Sequence, residues 1–192
     1  MLEIELKAWL ASTAPESLER KISDAGFGLP QTCYERDTYY NAPDRAFKKT
    51  DEALRIRERR QFGKAHTLVT YKGPKRDALS NTRTEFETSV EDADTMRSIL
   101  NALGYTPVLE VRKQRRSFAG AGAFKNITLC LDEVEGLGSF IELECCAADD
   151  IGQVERESTR NHLLALLDAL GIPRENLTRQ SYLEQLMQRA TS

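Results

Sequence analysis

Three alternating segments each carry two glutamates with only one residue between them: Glu3 and Glu5, Glu85 and Glu87, and Glu142 and Glu144. Side chains two positions apart on a strand point to the same face, so each pair brings two carboxylates together. Carboxylate oxygens are the ligands that hard divalent cations such as Mg²⁺ and Mn²⁺ prefer. These acids, with Asp132 at the end of another alternating segment, are therefore candidates for holding such a cation.

Basic side chains in similarly alternating segments form a second set: Lys7, Arg55, Arg57, Arg59, Lys72, Arg83, Lys113 and Arg115. Arginine is suited to bidentate contacts with phosphate oxygens. Acids and bases in one cavity are what a polyphosphate with Mg²⁺ or Mn²⁺ requires, because the acids hold the metal and the bases neutralise phosphate. An ordinary half-exposed sheet also alternates, but its polar face usually mixes charged residues with Ser and Thr.

Alternation with a period of two predicts the strands that carry these side chains, at about residues 2–9, 54–59, 66–72, 83–90, 111–117, 127–132 and 140–146. Apolar stripes and helix-stop residues predict helices at about residues 15–25, 92–103, 153–170 and 182–189. Strands with one charged face can close into a barrel with a charged interior and with helices outside. Since burying unpaired charges is costly, that interior should be wet and hold an anion together with cations.

The chain has 192 residues, of which 40% are hydrophobic and 30% charged, and its formal net charge is −3. This composition argues against a disordered chain and against a membrane protein, and the length fits one domain. The negative net charge disfavours a broad basic surface for nucleic acid, whereas a local basic pocket for a small anion fits. The N-terminal segment lacks the pattern of a signal peptide, and the cysteines contain no C-x-x-C pair, so we expect a cytoplasmic protein.

The sequence offers few residues for other kinds of catalytic or metal site. His66 and His162 are the only histidines, which disfavours a Ser-His-Asp system and a zinc site. Neither a G-x-x-x-x-G-K-[ST] loop nor a G-x-G-x-x-G loop is present. We therefore expect any phosphate to be held by side chains rather than by a helix N-terminus.

Several short motifs follow one another in an order that is typical of one family. The first, E-x-E-x-K, spans residues 3–7. It is followed by L-R-I-R at 54–57, Y-K-G-P at 71–74, R-T-E at 83–85, K-Q-R at 113–115, Asp132, G-L-G-S-F-I-E-L-E at 136–144 and S-Y-L at 181–183. With these motifs the chain resembles the CYTH superfamily, the triphosphate tunnel metalloenzymes, over nearly its whole length.

The resemblance implies an α+β fold, in which residues 1–192 form a single CYTH-like domain. That domain is a closed antiparallel β-barrel with a charged lumen and helices packed outside. The metal, Mg²⁺ or Mn²⁺, would be held by Glu3, Glu5 and Glu142, together with Glu144 or Asp132. The phosphates would be bound by Lys7, Arg55, Arg57, Lys72, Arg83, Lys113 and Arg115, with Glu85 orienting basic neighbours or assisting the metal. The catalytic residues would be Glu5, Lys7 and Arg57, and further candidates are Arg59, Glu87 and Arg179.

Within the family, the size and layout are most similar to the class IV adenylate cyclases of the CyaB type. Their reaction is attack of the ribose 3′-hydroxyl of ATP on the α-phosphorus, which gives cyclic AMP and pyrophosphate. Two alternatives stay open: a triphosphatase for inorganic or thiamine triphosphate, and a non-catalytic module that binds polyphosphate or nucleotides. The resemblance implies a small-molecule triphosphate as partner, without nucleic acid or membrane, and it allows a homodimer.

Overall fold

The computed structural model describes residues 1–11, 16–77, 79–148 and 150–190. Its strands are β1 (Leu2–Leu10), β2 (Gln31–Asn41), β3 (Ala53–Gln61), β4 (Lys64–Lys72), β5 (Arg83–Val90), β6 (Thr106–Ala119), β7 (Ile127–Val134) and β8 (Gly138–Ala147). They form a closed antiparallel barrel in the order β1–β5–β4–β3–β2–β6–β7–β8, and β8 pairs again with β1. The predicted closed barrel is therefore confirmed.

The helices lie outside the barrel. They are α1 (Glu16–Asp24), α2 (Phe47–Thr50), α3 (Ala93–Ala102), α4 (Gln153–Leu170) and α5 (Tyr182–Arg189). The bounds of α4 and α5 match the prediction, whereas the short α2 was not predicted. The predicted start of the first helix at Pro15 lies outside the described residues. Among the described residues, no helix is both long and apolar enough to cross a membrane.

The largest apolar core lies between α4, α1 and the outer faces of β1, β7 and β8. Ile4 and Leu6 of β1 are at most 1% exposed and belong to the same cluster as Leu163 and Leu167 of α4. Because side chains alternate along a strand, burying these residues turns the intervening acids and Lys7 of β1 toward the lumen. A register slip by one residue would exchange the two sets, so this core fixes which side chains reach the site.

Strand β5 pairs with only a short part of its neighbour β1. It pairs with β8 from Leu2 to Leu10 but with β5 only at Leu2 and Glu3. Beyond that point the backbone N–H of Asn81 donates to the carbonyl of Glu5, and that of Thr178 donates to the carbonyl of Lys7, each at 2.9 Å. Two connecting segments thus complete the barrel wall beside the charged half of β1.

Strand β2 is an element that the sequence patterns did not predict as a strand. Residues 35–37 are consecutively charged, which hides the alternation, yet Cys33, Glu35 and Asp37 are buried. Their neighbours Tyr34 and Arg36 lie on the outer face, and Tyr34 is exposed. At Tyr34 and Arg36 this outer face is not covered by apolar packing, so the usual polar–apolar pattern is absent there, whereas Tyr40 is buried in the same apolar cluster as Ile56.

Candidate functional site

The lumen contains a cavity of about 620 Å³, within the range typical of small-molecule sites. Nearly all the predicted site residues line it: Glu3, Glu5, Lys7, Arg55, Arg57, Arg59, Lys72, Arg83, Glu85, Glu87, Lys113, Arg115, Glu142 and Glu144. Asp132 is not among the lining residues, and Arg179 lines a separate cavity of about 360 Å³. The fold therefore brings acids and bases from distant parts of the sequence into one cavity.

Glu3, Glu5 and Glu144 form an acid cluster, in which one carboxylate oxygen from each residue lies within 4.8 Å of the others. The cluster follows from the β1–β8 register, which places Glu5 directly opposite Glu144. Burial raises the pKa of Glu3. Burial, with the nearby charges of Glu3 and Glu142, also raises the pKa of Glu144 to about 8, against the opposing effect of Arg115. An all-carboxylate donor set with this spacing fits a hard divalent cation.

Lys72 closes one side of the acid cluster. Its Nζ lies 2.6 Å from a carboxylate oxygen of Glu3 and 2.6 Å from one of Glu85. Burial alone would lower the pKa of Lys72, but these two carboxylates raise it, so the side chain is an ammonium. Glu85 therefore holds a basic side chain rather than joining the acid cluster.

Arg55 and Arg57 project from β3 toward Asp37 of the neighbouring strand β2. Arg57 makes a bidentate contact with Asp37 at 2.6 and 2.7 Å, and Nη1 of Arg55 lies 3.3 Å from the same carboxylate. Burial would raise the pKa of Asp37, but Arg57 and Arg55 lower it, so the carboxylate is ionised. Fixed bidentate pairing holds the guanidinium planes in one orientation.

Glu35 is a second buried acid beneath the basic side chains. Its carboxylate lies 2.8 Å from Arg59, 3.1 Å from Arg57 and 3.4 Å from Lys113. Burial would raise its pKa, but Arg57, Lys113 and other bases hold it well below the usual range. Glu35 and Asp37 were not predicted as site residues, although their spacing of two residues repeats the pattern of the other acid pairs.

Asp132 lies behind the bases and away from the acid cluster. One of its oxygens accepts from Arg115 at 2.7 Å. The other accepts from Lys113 at 2.8 Å, from Arg115 at 2.7 Å and from the hydroxyl of Tyr182 at 3.0 Å. A carboxylate has about four lone-pair positions, so these donors occupy its capacity. The geometry thus selects Glu144, rather than Asp132, as the acid beside Glu3 and Glu5.

Glu142, also expected to bind metal, is paired with bases. It contacts Arg115, and Nζ of Lys7 lies 3.0 Å from its Oε1. The same ammonium lies 3.2 Å from Glu5. Burial alone would lower the pKa of Lys7, but Glu142 and Glu5 raise it. Lys7 therefore connects Glu142 with the acid cluster and is positively charged.

Two further lining residues were not predicted as site residues. Asn81 donates from Nδ2 to Oε1 of Glu5 at 2.8 Å, which fixes the orientation of that carboxylate. Tyr182 lies against the Lys7 ammonium, 4.4 Å from the ring centroid. The S-Y-L motif marked Tyr182 in the sequence, but nothing in its local pattern indicated a contact with Lys7.

The cavity is less polar at one end of the barrel, where β2 ends and β3 and β6 begin. Its lining there includes Tyr39, Phe47, Val108, Leu183 and Met187. These side chains offer apolar and aromatic surface next to the charged region. A ligand with a polyanionic part and an uncharged ring would match both regions.

Comparisons with known proteins agree with this geometry. The model of the CYTH domain matches residues 1–182. The chain is 37% identical to a Methanocaldococcus jannaschii protein named "Putative adenylate cyclase MJ0240", covering 96% of this chain and 98% of that protein. It is 32% identical to "Adenylate cyclase CyaB" of Aeromonas hydrophila, over 77% of this chain and 70% of that one.

A solved structure shows the same fold. The PH1819 protein of Pyrococcus horikoshii OT3 superposes with a TM-score of 0.85 at 38% identity, covering 97% of this chain and 99% of that one. The resemblance seen in the sequence motifs is therefore confirmed over nearly the whole chain. On this evidence the chain belongs to the CYTH family.

Proposed function

We propose that this protein is a metal-dependent enzyme that converts ATP to cyclic AMP and pyrophosphate, as a class IV adenylate cyclase does. The observation that carries the proposal is the acid cluster, which shares one cavity with basic side chains from β1, β3, β4, β5 and β6. Pure anion binding needs only the bases. A set of three carboxylates within 4.8 Å is expected of a site that also binds a cation.

In this proposal Glu3, Glu5 and Glu144 hold Mg²⁺ or Mn²⁺. A divalent cation bound there would neutralise negative charge that develops on the triphosphate. Asn81 keeps the Glu5 carboxylate oriented through its 2.8 Å hydrogen bond. The ammonium of Lys72 lies 2.6 Å from the carboxylate of Glu3 and offsets its negative charge.

The triphosphate is bound by the basic side chains Lys7, Arg55, Arg57, Lys72, Arg83, Lys113 and Arg115. Glu35, Asp37, Glu85 and Asp132 set the positions of Arg55, Arg57, Lys72, Lys113 and Arg115 in advance, and Glu5 and Glu142 set that of Lys7. Lys7 acts as a fixed positive charge rather than as a base, because its acidic neighbours keep it protonated. Arg57, anchored bidentately by Asp37, presents its guanidinium to the phosphate oxygens that gain charge during the reaction.

The less polar end of the cavity favours a nucleoside triphosphate as substrate. Tyr39 and Phe47 supply aromatic surface on which a base can stack, and Val108, Leu183 and Met187 supply apolar surface beside it. Inorganic triphosphate would leave this surface without a ligand. With the base there, the ribose lies between the apolar end and the charged lumen, where its 3′-hydroxyl can approach the α-phosphorus.

A triphosphatase is the second candidate. In either reaction the charged side chains would contact phosphate and metal, and such contacts do not select which phosphorus meets the nucleophile. Water attacking the terminal phosphorus of inorganic or thiamine triphosphate would use the same acids and bases. The third reading, a binding module without turnover, would bind its ligand without dependence on Mg²⁺ or Mn²⁺.

Product analysis tests the proposal. The purified protein is incubated with Mg²⁺ or Mn²⁺ and, separately, with ATP, inorganic triphosphate or thiamine triphosphate. We expect cyclic AMP and an equal amount of pyrophosphate from ATP, and no turnover by Glu5→Gln. Glu133→Gln, an exposed acid on β7, is the matched control and should retain full activity. Orthophosphate as the main product would contradict the cyclase proposal and support the triphosphatase. Metal-independent ligand binding without any product would contradict both and support a binding module.

A further inference from the structure

We infer that Tyr182, delivered by the C-terminal helix α5, is a positioning residue for the two lysines of the triphosphate site, Lys7 and Lys113. The inference rests on the proposed function, because it concerns how those lysines meet phosphate. Tyr182 is 6% exposed and lines the cavity. Its ring centroid lies 4.4 Å from Nζ of Lys7 and 5.2 Å from Nζ of Lys113.

One aromatic ring therefore contacts two ammonium groups that come from different strands, β1 and β6. A cation within about 6 Å of a ring centroid is attracted by the negative face of the ring, and most strongly where water is excluded. Both lysines are 5% exposed, so this attraction acts in a desolvated setting.

The ring is an uncharged partner, and this distinguishes it from the other partners of these lysines. Lys7 also contacts Glu5 and Glu142, and Lys113 also contacts Asp132 and Glu35. A carboxylate that pairs with a lysine competes with an incoming phosphate for the same charge. An ammonium has three N–H donors, and the two carboxylates occupy two of them. The ring fixes the position of the ammonium without neutralising it, so the third donor is available to a phosphate oxygen.

A hydrogen bond from the hydroxyl of Tyr182 helps to fix the orientation of its ring. It donates to Oδ2 of Asp132 at 3.0 Å, and Asp132 also accepts from Lys113 and Arg115. Burial, with the charges of Asp132 and Glu142, raises the pKa of Tyr182 well above its usual value, so the hydroxyl is protonated and can donate. Phe140 packs edge-on against the ring at a centroid distance of 5.0 Å.

A capping box and ion pairs fix the N-terminal end of helix α5, which carries Tyr182. Ser181 and Glu184 form a capping box immediately around Tyr182, which is the first residue of the helix. Lys75 links Glu184 at 3.4 Å with Asp51 at 3.0 Å, so the start of α5 is tied to the segments that precede β3 and follow β4. The C-terminal helix thus contributes to the lumen as well as to the outer layer.

Binding of inorganic triphosphate to three variants, measured by calorimetry, tests the inference. Tyr182→Leu removes the ring, Tyr182→Phe keeps the ring without the hydroxyl, and Phe27→Leu truncates a buried aromatic of the outer core, away from the cavity. We expect the affinity of Tyr182→Leu to fall roughly tenfold, which corresponds to ~1.4 kcal/mol. Tyr182→Phe should bind within about twofold of the wild type, because the cation–π contacts remain. Phe27→Leu should lose stability but not affinity.

Wild-type affinity in folded Tyr182→Leu would overturn the inference, and so would an equal loss in Tyr182→Phe and Tyr182→Leu. A second measurement needs neither a ligand nor the leucine variant. In the unliganded wild-type protein and in Tyr182→Phe, the Cε protons of Lys7 and Lys113 should show upfield ring-current shifts by NMR. Their absence would also overturn the inference. Failure of the wild type to bind triphosphate, with these shifts present, would instead count against the proposed function.

Discussion

Glu144 should make the stability of the protein depend on pH, and Glu144→Gln should remove that dependence. The folded protein holds the pKa of this carboxyl at about 8, compared with an ordinary value of 4.5. Between these two values the folded chain retains a proton that the unfolded chain has lost. The contribution of Glu144 to the free energy of unfolding therefore falls as the pH rises through this window, and then stays constant.

The expected size follows from these pKa values. Each pKa unit corresponds to ~1.4 kcal/mol, so the full difference would cost the folded state at most roughly 5 kcal/mol above pH 8. The side chain of Glu144 is 21% exposed and lies 3.0 Å from Arg115, so solvent and this base reduce the cost. Glutamine has nearly the same shape without the charge. We expect Glu144→Gln to change stability little near pH 5 and to raise it by roughly 2–4 kcal/mol near pH 9.

Urea unfolding of the wild type and of Glu144→Gln, in EDTA and at both pH values, measures this difference. Glu133→Gln removes an exposed acid from the neighbouring strand β7 and should show no comparable pH-dependent gain. Equal destabilisation of Glu144→Gln at both pH values would refute the reasoning. A Glu144→Gln variant that is less stable than the wild type only at the higher pH would refute it as well, because the ionised carboxylate would then be stabilising.

Further predictions concern the metal and the phosphates. Glu5→Gln should lower metal-dependent turnover at least about 100-fold with little change in folding, and unchanged turnover would remove Glu5 from the metal site. Arg57→Ala should lower kcat/KM for a triphosphate by roughly 10- to 100-fold, whereas Arg60→Ala, on the exposed outer face of the same strand, should not. Triphosphate with Mg²⁺ at 100 times its Kd should add about 2.7 kcal/mol to the free energy of unfolding, and an unshifted melting temperature would argue against binding in the lumen.

The barrel and most of the lumen could be predicted because charge alternates with apolar side chains along its strands. On β1 the outward residues Ile4 and Leu6 are buried by a helix, which makes the inward acids stand out in the sequence. On β5 the alternation was equally clear, but Phe86 is 61% exposed on the outer face and stacks on Tyr71. The period of the pattern thus identified the lumen correctly without showing where the helices cover the outside.

The supporting acids could not be predicted in the same way. Glu35 and Asp37 lie on a strand that carries charges on both faces, so they resembled an exposed charged segment. The separation of Asp132 from the acid cluster depends on which donors reach it, including Tyr182 from a helix 50 residues away in sequence. Motifs identify which residue types occur and in what order. Which donors reach a given carboxylate depends on three-dimensional packing. The cytoplasmic location, the single-domain boundary and the homodimer remain predictions.

The pairing of β1 with β8 has a consequence for how the protein folds. Glu3 and Glu5 of β1 are separated in sequence from their partner Glu144 of β8 by six other strands, and the ring of Tyr182 comes later still. Contacts of such long sequence separation form slowly, since a large loop must close before they contribute energy. The acid cluster is therefore completed only when β8 joins β1. A folding chain in which these two strands have not yet paired would carry Glu3 and Glu5 without Glu144, so the cation site that we propose would form late in folding.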